Sequence, residues 1–275
     1  MSLVVDTEGS VHEKHGEYNI FRQLAVKVFA DHIDDENYYK WLDEVPMELQ
    51  SQFPSVEFKE RDWVRANPPL NTAVYYDTPG YDVLPTGALL RTSCSKLTHA
   101  FCAFKMPEDA TGNRLDRRHV FEGNEKATIQ SDPISKDAVS IVKKLITRRD
   151  VDQPGTFLAL ATGISADDLS PAMVLKGHRT TFYVLIDGYD VLRCSIDRSS
   201  VFDFRSNGNA ESPENWKSFR EVELSLYPRI SDEIKSDPRV VQVIEALRDS
   251  LITRFNTHVI YDIKYQRGMK LLGKY

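Results

Sequence analysis

The sequence predicts a mainly β fold of the α+β class, in which about eight antiparallel strands form a barrel or a curved sheet. Hydrophobic and polar residues alternate with a period of two in many short segments. Turn sequences such as Asp77-Thr-Pro-Gly80 and Asp187-Gly188 separate these segments. Helical periodicity interrupts the pattern in only a few places. Closure of such a sheet would remove its exposed strand edges, which favours a barrel.

The strands are predicted from the alternation, with Asp187-Gly188 as a two-residue hairpin turn between two of them. The predicted strands cover residues 18–29, 72–77, 88–95, 99–106, 115–122, 172–186, 190–204 and 217–227.

Helices are predicted at residues 34–50, 132–147 and 237–255. We expect the first to be broken at Pro46, because proline removes a backbone hydrogen bond. Either Asp132 or Ser135 can cap the second. Asp237 caps the third, and its apolar stripe consists of Val241, Ile244, Leu247, Leu251 and Phe255. We interpret residues 1–16 as a flexible N-terminus and residues 17–275 as a single domain.

Composition excludes several classes of function. The chain has 275 residues and a formal net charge of −6, which argues against an extended nucleic-acid footprint. The longest apolar stretch, residues 157–164, is too short to cross a membrane, and the N-terminus has no secretory pattern. The three cysteines lack the spacing of a metal site, so we expect free thiols in a reducing cytoplasm. The sequence therefore predicts a cytoplasmic protein without a membrane partner.

Charged residues recur on one face of several predicted strands. The alternation groups Gln23, Ala25 and Lys27; Leu89, Arg91 and Ser93; Ala103 and Lys105; Arg193, Ser195 and Asp197; and Glu221, Glu223 and Ser225. Each strand alone is compatible with a face exposed to solvent. Taken together, the strands are better explained by a water-filled barrel with opposed basic and acidic walls.

Such an interior suits a polyanion. Lysine and arginine side chains neutralise phosphate oxygens. Two glutamates two residues apart on one strand, Glu221 and Glu223, can hold Mg²⁺ or Mn²⁺, which would bridge phosphate oxygens and orient a water. A short polyphosphate held inside requires no basic outer surface.

Five stretches of the chain resemble the CYTH, or triphosphate tunnel metalloenzyme, superfamily. Val74-Tyr-Tyr-Asp-Thr-Pro79 with Gly87-Ala-Leu-Leu-Arg91, and Ala103-Phe-Lys105, are similar to its first conserved turn and strands. Lys176-Gly-His-Arg179-Thr-Thr-Phe182, followed by residues 191–197, resembles its basic hairpin. Arg220-Glu-Val-Glu-Leu224 resembles its glutamate strand, and Lys264-Tyr-Gln-Arg267-Gly resembles its C-terminal element.

The resemblance implies a closed eight-stranded antiparallel tunnel that hydrolyses triphosphates or, in one branch, cyclises ATP. It implies catalytic roles for Lys105 and Arg91. A metal would bind to Glu221 and Glu223 with Asp197 nearby. The strand register leaves open whether Arg118 or Arg117 contacts phosphate. The implied phosphate-binding residues are Lys27, Arg91, Lys105, Arg118, Lys176, Arg179, Arg193 and Lys264, the last at the rim of the tunnel.

The chain departs from the family pattern in its carboxylates. The family's Glu-x-Glu-x-Lys strand here reads Gln23-Leu-Ala25-Val-Lys27, so the lysine is present and both acids are absent. Ser93 replaces a second arginine, and Ser225 replaces a third acid. The loss of charged oxygen ligands should weaken binding of Mg²⁺ or Mn²⁺.

Three functions are compatible with this pattern. The favoured one is a metal-dependent phosphohydrolase of triphosphate or polyphosphate substrates with altered or reduced activity. The second is a non-catalytic protein that binds a small polyphosphate or another phosphorylated ligand. The third is an adenylate cyclase of the class IV type, which would act on a nucleoside triphosphate in the same tunnel.

Overall fold

The structure is a computed structural model, and it describes residues 3–5, 11–15, 18–22, 25–60, 70–96, 98–107, 113–150, 152–206, 210, 212–227 and 231–275. Gln23, one of the residues that depart from the family pattern, lies outside the described residues.

Strands dominate the described part of the chain. They are β1 (Leu3–Val5), β2 (Val11–His15), β3 (Tyr18–Arg22), β4 (Ala25–Phe29), β5 (Val56–Glu60), β6 (Leu70–Asp77), β7 (Leu89–Ser95), β8 (Ala100–Lys105), β9 (Asn113–Val120), β10 (Ser170–Ile186), β11 (Tyr189–Asp203), β12 (Lys217–Leu226) and β13 (Val259–Ile260). Every predicted strand is confirmed within two residues at each end, except that residues 18–29 form two strands, β3 and β4. The predicted hairpin is also confirmed, since Asp187 and Gly188 both have positive φ between β10 and β11.

Seven helices are present among the described residues. They are α1 (Asp35–Gln50), α2 (Gly123–Ser131), α3 (Lys136–Ile146), α4 (Pro154–Thr162), α5 (Asp232–Lys235), α6 (Pro238–Phe255) and α7 (Lys264–Leu271). The three predicted helices correspond to α1, α3 and α6. Ser135 is the cap of α3, since its hydroxyl accepts a hydrogen bond from the backbone N–H of Ala138.

Two details of the helix prediction are wrong. Helix α1 continues through Pro46 to Gln50, because residues on both sides of the proline, including Trp41 and Leu49, are buried against the sheet. In α6, Val241 is 39% exposed, while Val240 and Val243 are buried, so the apolar stripe is rotated from the predicted one.

All strands pair antiparallel in one sheet. The hydrogen-bonded order is β1-β2-β3-β9-β8-β7-β6-β10-β11-β12-β4-β13, with β5 pairing beside β10. A closed barrel is not confirmed, because hydrogen bonds among the described residues form an open ladder. The consecutive strands β3 and β4 nevertheless pair with opposite ends of its central part, β3 with β9 and β4 with β12.

The alternation of side chains gives the central strands two different faces. One face, which we call the helix-packed face, carries apolar residues such as Val74, Phe104, Phe182 and Val222. Helices α1 and α6 cover it over β4, β10, β11 and β12, while α2, α3 and α4 cover it over β6 to β9. The opposite face, the charged face, carries Arg179, Asp197 and the other ionisable residues described below.

Helix α7 packs against the charged face rather than the helix-packed face. Its Tyr265 ring stacks on the Tyr75 ring of β6, with centroids 4.9 Å apart and an interplanar angle of 4°. A Cβ atom added at Gly268 would lie 2.5 Å from the Met173 sulfur, so the absence of a side chain there allows α7 to approach β10 closely. Part of the charged face is therefore a small apolar core under α7.

The carboxyl group of Asp77 connects α7 to the turn after β6. It is fully buried and accepts hydrogen bonds from the backbone N–H groups of Thr78, Val83 and Leu84 and from the Tyr265 hydroxyl. This single side chain holds both the turn that leads to β7 and the helix that closes the apolar core.

We expect Asp77→Ala to lower the free energy of unfolding by about 3 kcal/mol, because it leaves several buried donors without an acceptor. Tyr265→Phe removes only one of the donors and should cost about 1 kcal/mol. Urea-induced unfolding of both variants measures these losses. Equal losses for the two variants would contradict the central role of Asp77.

Candidate functional site

Four adjacent strands bring the predicted acidic residues together on the charged face. In the register of β10, β11 and β12, Arg179 lies opposite Asp197, and Asp197 lies opposite Glu221. Two residues after Glu221 on β12, Glu223 lies opposite Lys27 of β4. Asp197, Glu221 and Glu223, which we call the acidic cluster, are all buried, and each offers an oxygen within 4.8 Å of the others.

Arg179 is the main partner of the acidic cluster. Its Nε and Nη2 atoms donate to the two carboxylate oxygens of Asp197, each at 2.6 Å, and Nη2 is also 3.5 Å from Glu223 Oε2. This two-point geometry suits the planar guanidinium, which donates along parallel directions. Arg179 therefore neutralises two of the three acids from the neighbouring strand.

Helix α7 supplies two more cations to the acidic cluster. Lys264 Nζ donates to Asp197 and is 3.4 Å from Glu221 Oε1. Arg267 Nη1 is 3.4 Å from Glu221 Oε2, and its Nη2 is 2.6 Å from Asp31 Oδ1. The guanidinium of Arg267 also lies over the rings of Phe29 and Phe219. Lys264 and Arg267 are three residues apart, so they share one side of the helix.

These contacts shift the pKa values of the buried groups. Burial alone would raise the pKa of Asp197 and of Glu223, but Arg179 and Lys264 outweigh it, so that the pKa of Asp197 is lowered and that of Glu223 falls to about 2. Burial would lower the pKa of Lys264, yet Asp197 and Glu221 raise it. Asp197, Glu223 and Lys264 are therefore all held in their charged forms.

The donor set of the acidic cluster fits a hard divalent cation. Three carboxylates in close proximity are the ligands that Mg²⁺ and Mn²⁺ prefer. Glu221 Oε1 is buried and accepts no hydrogen bond from any described residue, although Lys264 lies within ion-pair distance. Ala25 on β4 adds no carboxylate beside Lys27, as the sequence indicates.

A second group of charged residues lies on β7, β8 and β9. Arg91 is opposite Ala103, which is opposite Arg118, so the small alanine leaves space between two guanidinium groups. Lys105 Nζ is 3.2 Å from Asp116 Oδ2, and Arg118 is 3.8 Å from the same oxygen. We call Arg91, Lys105 and Arg118 the basic cluster. The register puts it on the charged face.

The strand register shows which of two arginines, Arg117 or Arg118, lies on the charged face, a choice that the sequence leaves open. Arg118 lies on the charged face, and its guanidinium is 4.4 Å from the centre of the Phe101 ring. Arg117 points to the opposite face and donates to Asp152 at 2.9 Å. Arg118 is thus the residue that shares a face with Arg91 and Lys105.

Two other predicted residues have different placements. Arg193 lies on the charged face of β11, opposite Ser225. Lys176 is exposed, lies on the face opposite to Arg179, and its ammonium is 4.6 Å from the centre of the Trp216 ring. The structure does not bring Lys176 to the other predicted phosphate-binding residues. It lies three positions from Arg179 along β10, and side chains an odd number of positions apart on a strand point to opposite faces.

Lys264, expected at the rim of a tunnel, is half-buried in the structure, and its ammonium group contacts Asp197 and Glu221. Arg267 and Asp116 also belong to the site and were not predicted as site residues. Their signals are the i, i+3 spacing from Lys264 for Arg267, and the i, i+2 spacing from Arg118 for Asp116.

The described residues contain no helix that is both long enough and apolar enough to span a membrane. Cys94, Cys102 and Cys194 are all buried and free, as expected from the sequence. Burial raises the pKa of the Cys94 thiol to about 11.

Comparison with known proteins supports the fold. No family model and no curated protein matches the chain. A solved protein of Hippeastrum, described as a candidate adenylyl cyclase with a dominant triphosphatase activity, is 11% identical with a TM-score of 0.51, over 93% of this chain and 97% of that one. The resemblance predicted from the sequence is thereby confirmed at the level of the fold.

Two further solved structures are similar at lower TM-scores. A candidate adenylate cyclase of Bacillus halodurans is 14% identical, with a TM-score of 0.49, over 90% of this chain and 97% of its own. The capping enzyme triphosphatase of Mimivirus is 12% identical, with a TM-score of 0.29, over 85% and 89% of the two chains.

We expect Arg179→Ala to lower the free energy of unfolding by about 3 kcal/mol, because it leaves Asp197 and Glu223 without their main cation. We take the lower end of the usual range, since the Arg179 side chain retains 30% exposure. Arg149, whose side chain is 92% exposed beside Asp167, is the matched control, and Arg149→Ala should change stability by less than about 0.5 kcal/mol. Chemical denaturation compares the two variants. Similar losses would show that the ion pairs of the cluster contribute no more than surface pairs.

The lowered pKa of Glu223 predicts a dependence of stability on acid pH. A carboxyl group whose pKa is lowered on folding stabilises the protein above its unfolded pKa. That contribution is lost as pH falls through the folded pKa, here from about 4.5 to about 2. We expect the unfolding free energy of the wild type to fall more steeply in this range than that of Glu223→Gln, by up to about 3 kcal/mol. Urea unfolding at a series of pH values measures the difference. Parallel curves would contradict the ion pairing of Glu223.

Proposed function

We propose that this chain binds the triphosphate group of a small polyphosphate or nucleotide against its charged face. We further propose that it hydrolyses a phosphoanhydride bond with the aid of Mg²⁺ or Mn²⁺. The observation that carries this proposal is the presence, on one face of one sheet, of a buried acidic cluster and a basic cluster. Phosphate requires the cations, and a divalent metal requires the carboxylates. The fold shared with the Hippeastrum protein is consistent with this use.

We also propose that the charged face lines a tunnel. Strands β3 and β4 are separated by only two residues, and they pair with the two ends of the seven-strand series β9-β8-β7-β6-β10-β11-β12, β3 with β9 and β4 with β12. Because β3 and β4 are consecutive in the chain, their pairing with both ends would bring these ends together and close the sheet. Helices on the helix-packed face would be outside, and the charged side chains inside.

The basic cluster is suited to hold the phosphates. The Nε atoms of Arg91 and Arg193 are buried and have no hydrogen-bond partner among the described residues. A buried guanidinium donor without an acceptor is costly, and phosphate oxygens would satisfy it. Lys105 and Arg118 lie beside Arg91 and would add charge where it develops on the transferring phosphoryl group. We assign Lys105 and Arg91 the catalytic roles on this basis.

The acidic cluster would hold the metal through Asp197, Glu221 and Glu223. A divalent ion bound there would supply Lewis-acid stabilisation of the phosphoryl oxygens. Arg179 and Lys27, which flank the carboxylates, would orient the polyphosphate chain between the acidic and basic clusters. With no carboxylate at Ala25, we expect weaker metal binding and a reduced rate.

Binding without turnover is the second candidate function. The charge of all three carboxylates is already compensated by Arg179, Lys264 and Arg267. The basic cluster would therefore bind a polyphosphate without a metal ion. Cyclisation of ATP is a weaker candidate, because the Hippeastrum protein that shares the fold is described as having a dominant triphosphatase activity.

Calorimetric titration with tripolyphosphate in the absence of metal tests the binding step. We expect Arg118→Ala to weaken binding tenfold or more, since a charge-assisted hydrogen bond contributes about 1.5–3 kcal/mol. Arg117→Ala is the matched control, because it removes the same side chain one residue away on the opposite face. No binding to the wild type, or equal effects of the two substitutions, would overturn the proposed site.

Phosphate release from tripolyphosphate and from ATP with Mg²⁺ or Mn²⁺ tests the chemical step. We expect Glu223→Gln to abolish the metal-dependent release of phosphate. Binding of tripolyphosphate in the absence of metal should remain. Binding without any release by the wild type would support the non-catalytic function, and formation of cyclic AMP would support the cyclase.

A further inference from the structure

We propose that Lys264 occupies a cation position within the acidic cluster, so that Lys264 and a divalent metal ion exclude each other and this residue sets the metal affinity of the site. The inference rests on the proposed function only in its assignment of the acidic cluster as the metal site. It assigns to the first residue of α7 a role in excluding metal, beyond the phosphate contact that the sequence resemblance implies.

The position of the ammonium group is the first observation. Lys264 Nζ donates to Asp197 and lies 3.4 Å from Glu221 Oε1, so it stands between two of the three carboxylates that could bind metal. Glu221 Oε1 is fully buried and accepts no hydrogen bond from the described residues. That oxygen is therefore attracted to the ammonium group of Lys264, but it could still bind a metal ion.

The charge balance is the second observation. Three carboxylates are in contact with three cations, namely Arg179, Lys264 and Arg267. A divalent ion added to this arrangement would bring two further positive charges into a buried site whose three carboxylates are already paired with cations, which is energetically costly. The ion must therefore displace one of the cations or enter together with an anion.

Lys264 is the cation that the structure holds least firmly. Arg179 makes a two-point contact with Asp197 from the middle of the sheet, and Arg267 is also bonded to Asp31 and lies over Phe29 and Phe219. Lys264 is the first residue of α7, where the positive end of the helix dipole disfavours a cation. Its long, flexible side chain can withdraw from the carboxylates without moving the helix.

Two consequences follow for the ligand. A small divalent ion would bind the free protein weakly, because it has to displace the ammonium group. A polyphosphate would strengthen metal binding, since its negative charge compensates the added positive charges and gives the displaced Lys264 a new anionic partner.

Titration with Mn²⁺ alone, followed by electron paramagnetic resonance of the free ion, tests the proposal without any measurement of activity. We expect Lys264→Met to bind Mn²⁺ at least tenfold more tightly than the wild type. Lys270→Met is the matched control on the same helix, because Lys270 is exposed and, among the carboxylates of the described residues, pairs with Asp262 alone. Lys270→Met should bind Mn²⁺ as the wild type does. Unchanged or weaker binding by Lys264→Met would overturn the proposal.

Lys264→Arg keeps the positive charge and should show no gain in Mn²⁺ affinity, which separates the effect of charge from that of a loosened helix. If Lys264→Met does not fold, as judged by its thermal transition, Lys264→Gln replaces it with a polar side chain that retains hydrogen bonding. Tighter Mn²⁺ binding by Lys264→Arg as well would contradict displacement of a charge.

Titration of the same proteins with tripolyphosphate in the absence of metal distinguishes the proposed role of Lys264 from the proposed function. Tighter Mn²⁺ binding by Lys264→Met with no tripolyphosphate binding would support the role of Lys264 and reject the proposed function. Tripolyphosphate binding by the wild type with no gain in Mn²⁺ affinity in Lys264→Met would do the reverse.

Discussion

The buried ion pair between Arg179 and Asp197 is the interaction on which the organisation of the charged face depends. Two guanidinium nitrogens lie 2.6 Å from the two carboxylate oxygens of Asp197, a residue that is 2% exposed. Without this cation, three buried carboxylates on neighbouring strands would repel one another. With it, β10, β11 and β12 can pair in a register that brings Glu221 and Glu223 beside Asp197.

Helix α7 extends this network of ion pairs and connects it to the sheet. Tyr265 and Gly268 dock the helix on the sheet through apolar contacts, while Lys264 and Arg267 reach the carboxylates. The same tyrosine bonds to Asp77, which organises the turn before β7 and hence the strand that carries Arg91. The acidic and basic clusters are thus connected through one short helix.

Much of the fold was predictable because local pattern determines it. Period-two alternation located the central strands, and it correctly grouped Arg193 with Asp197 and Glu221 with Glu223. The local pattern did not predict elements whose conformation depends on tertiary packing. Helix α1 passes through Pro46 because its flanking residues are buried, and the short strand β5 is stabilised by its pairing with β10. The choice between Arg117 and Arg118 likewise needed the register of β9 against β8.

The sequence by itself determined the order of the strands along the chain, the shared face of Arg193 with Asp197 and of Glu221 with Glu223, and the absence of an acid at Ala25. These depend only on residue identity and on the two-residue repeat of a strand. Only the tertiary structure decided which charges meet. Lys176 and Arg179 are close in sequence but lie on opposite faces, whereas Lys264 and Asp197 are far apart in sequence and in contact. The physical reason is that electrostatic interactions act through space at short range, so partners on different elements are defined by sheet register and by the docking of α7.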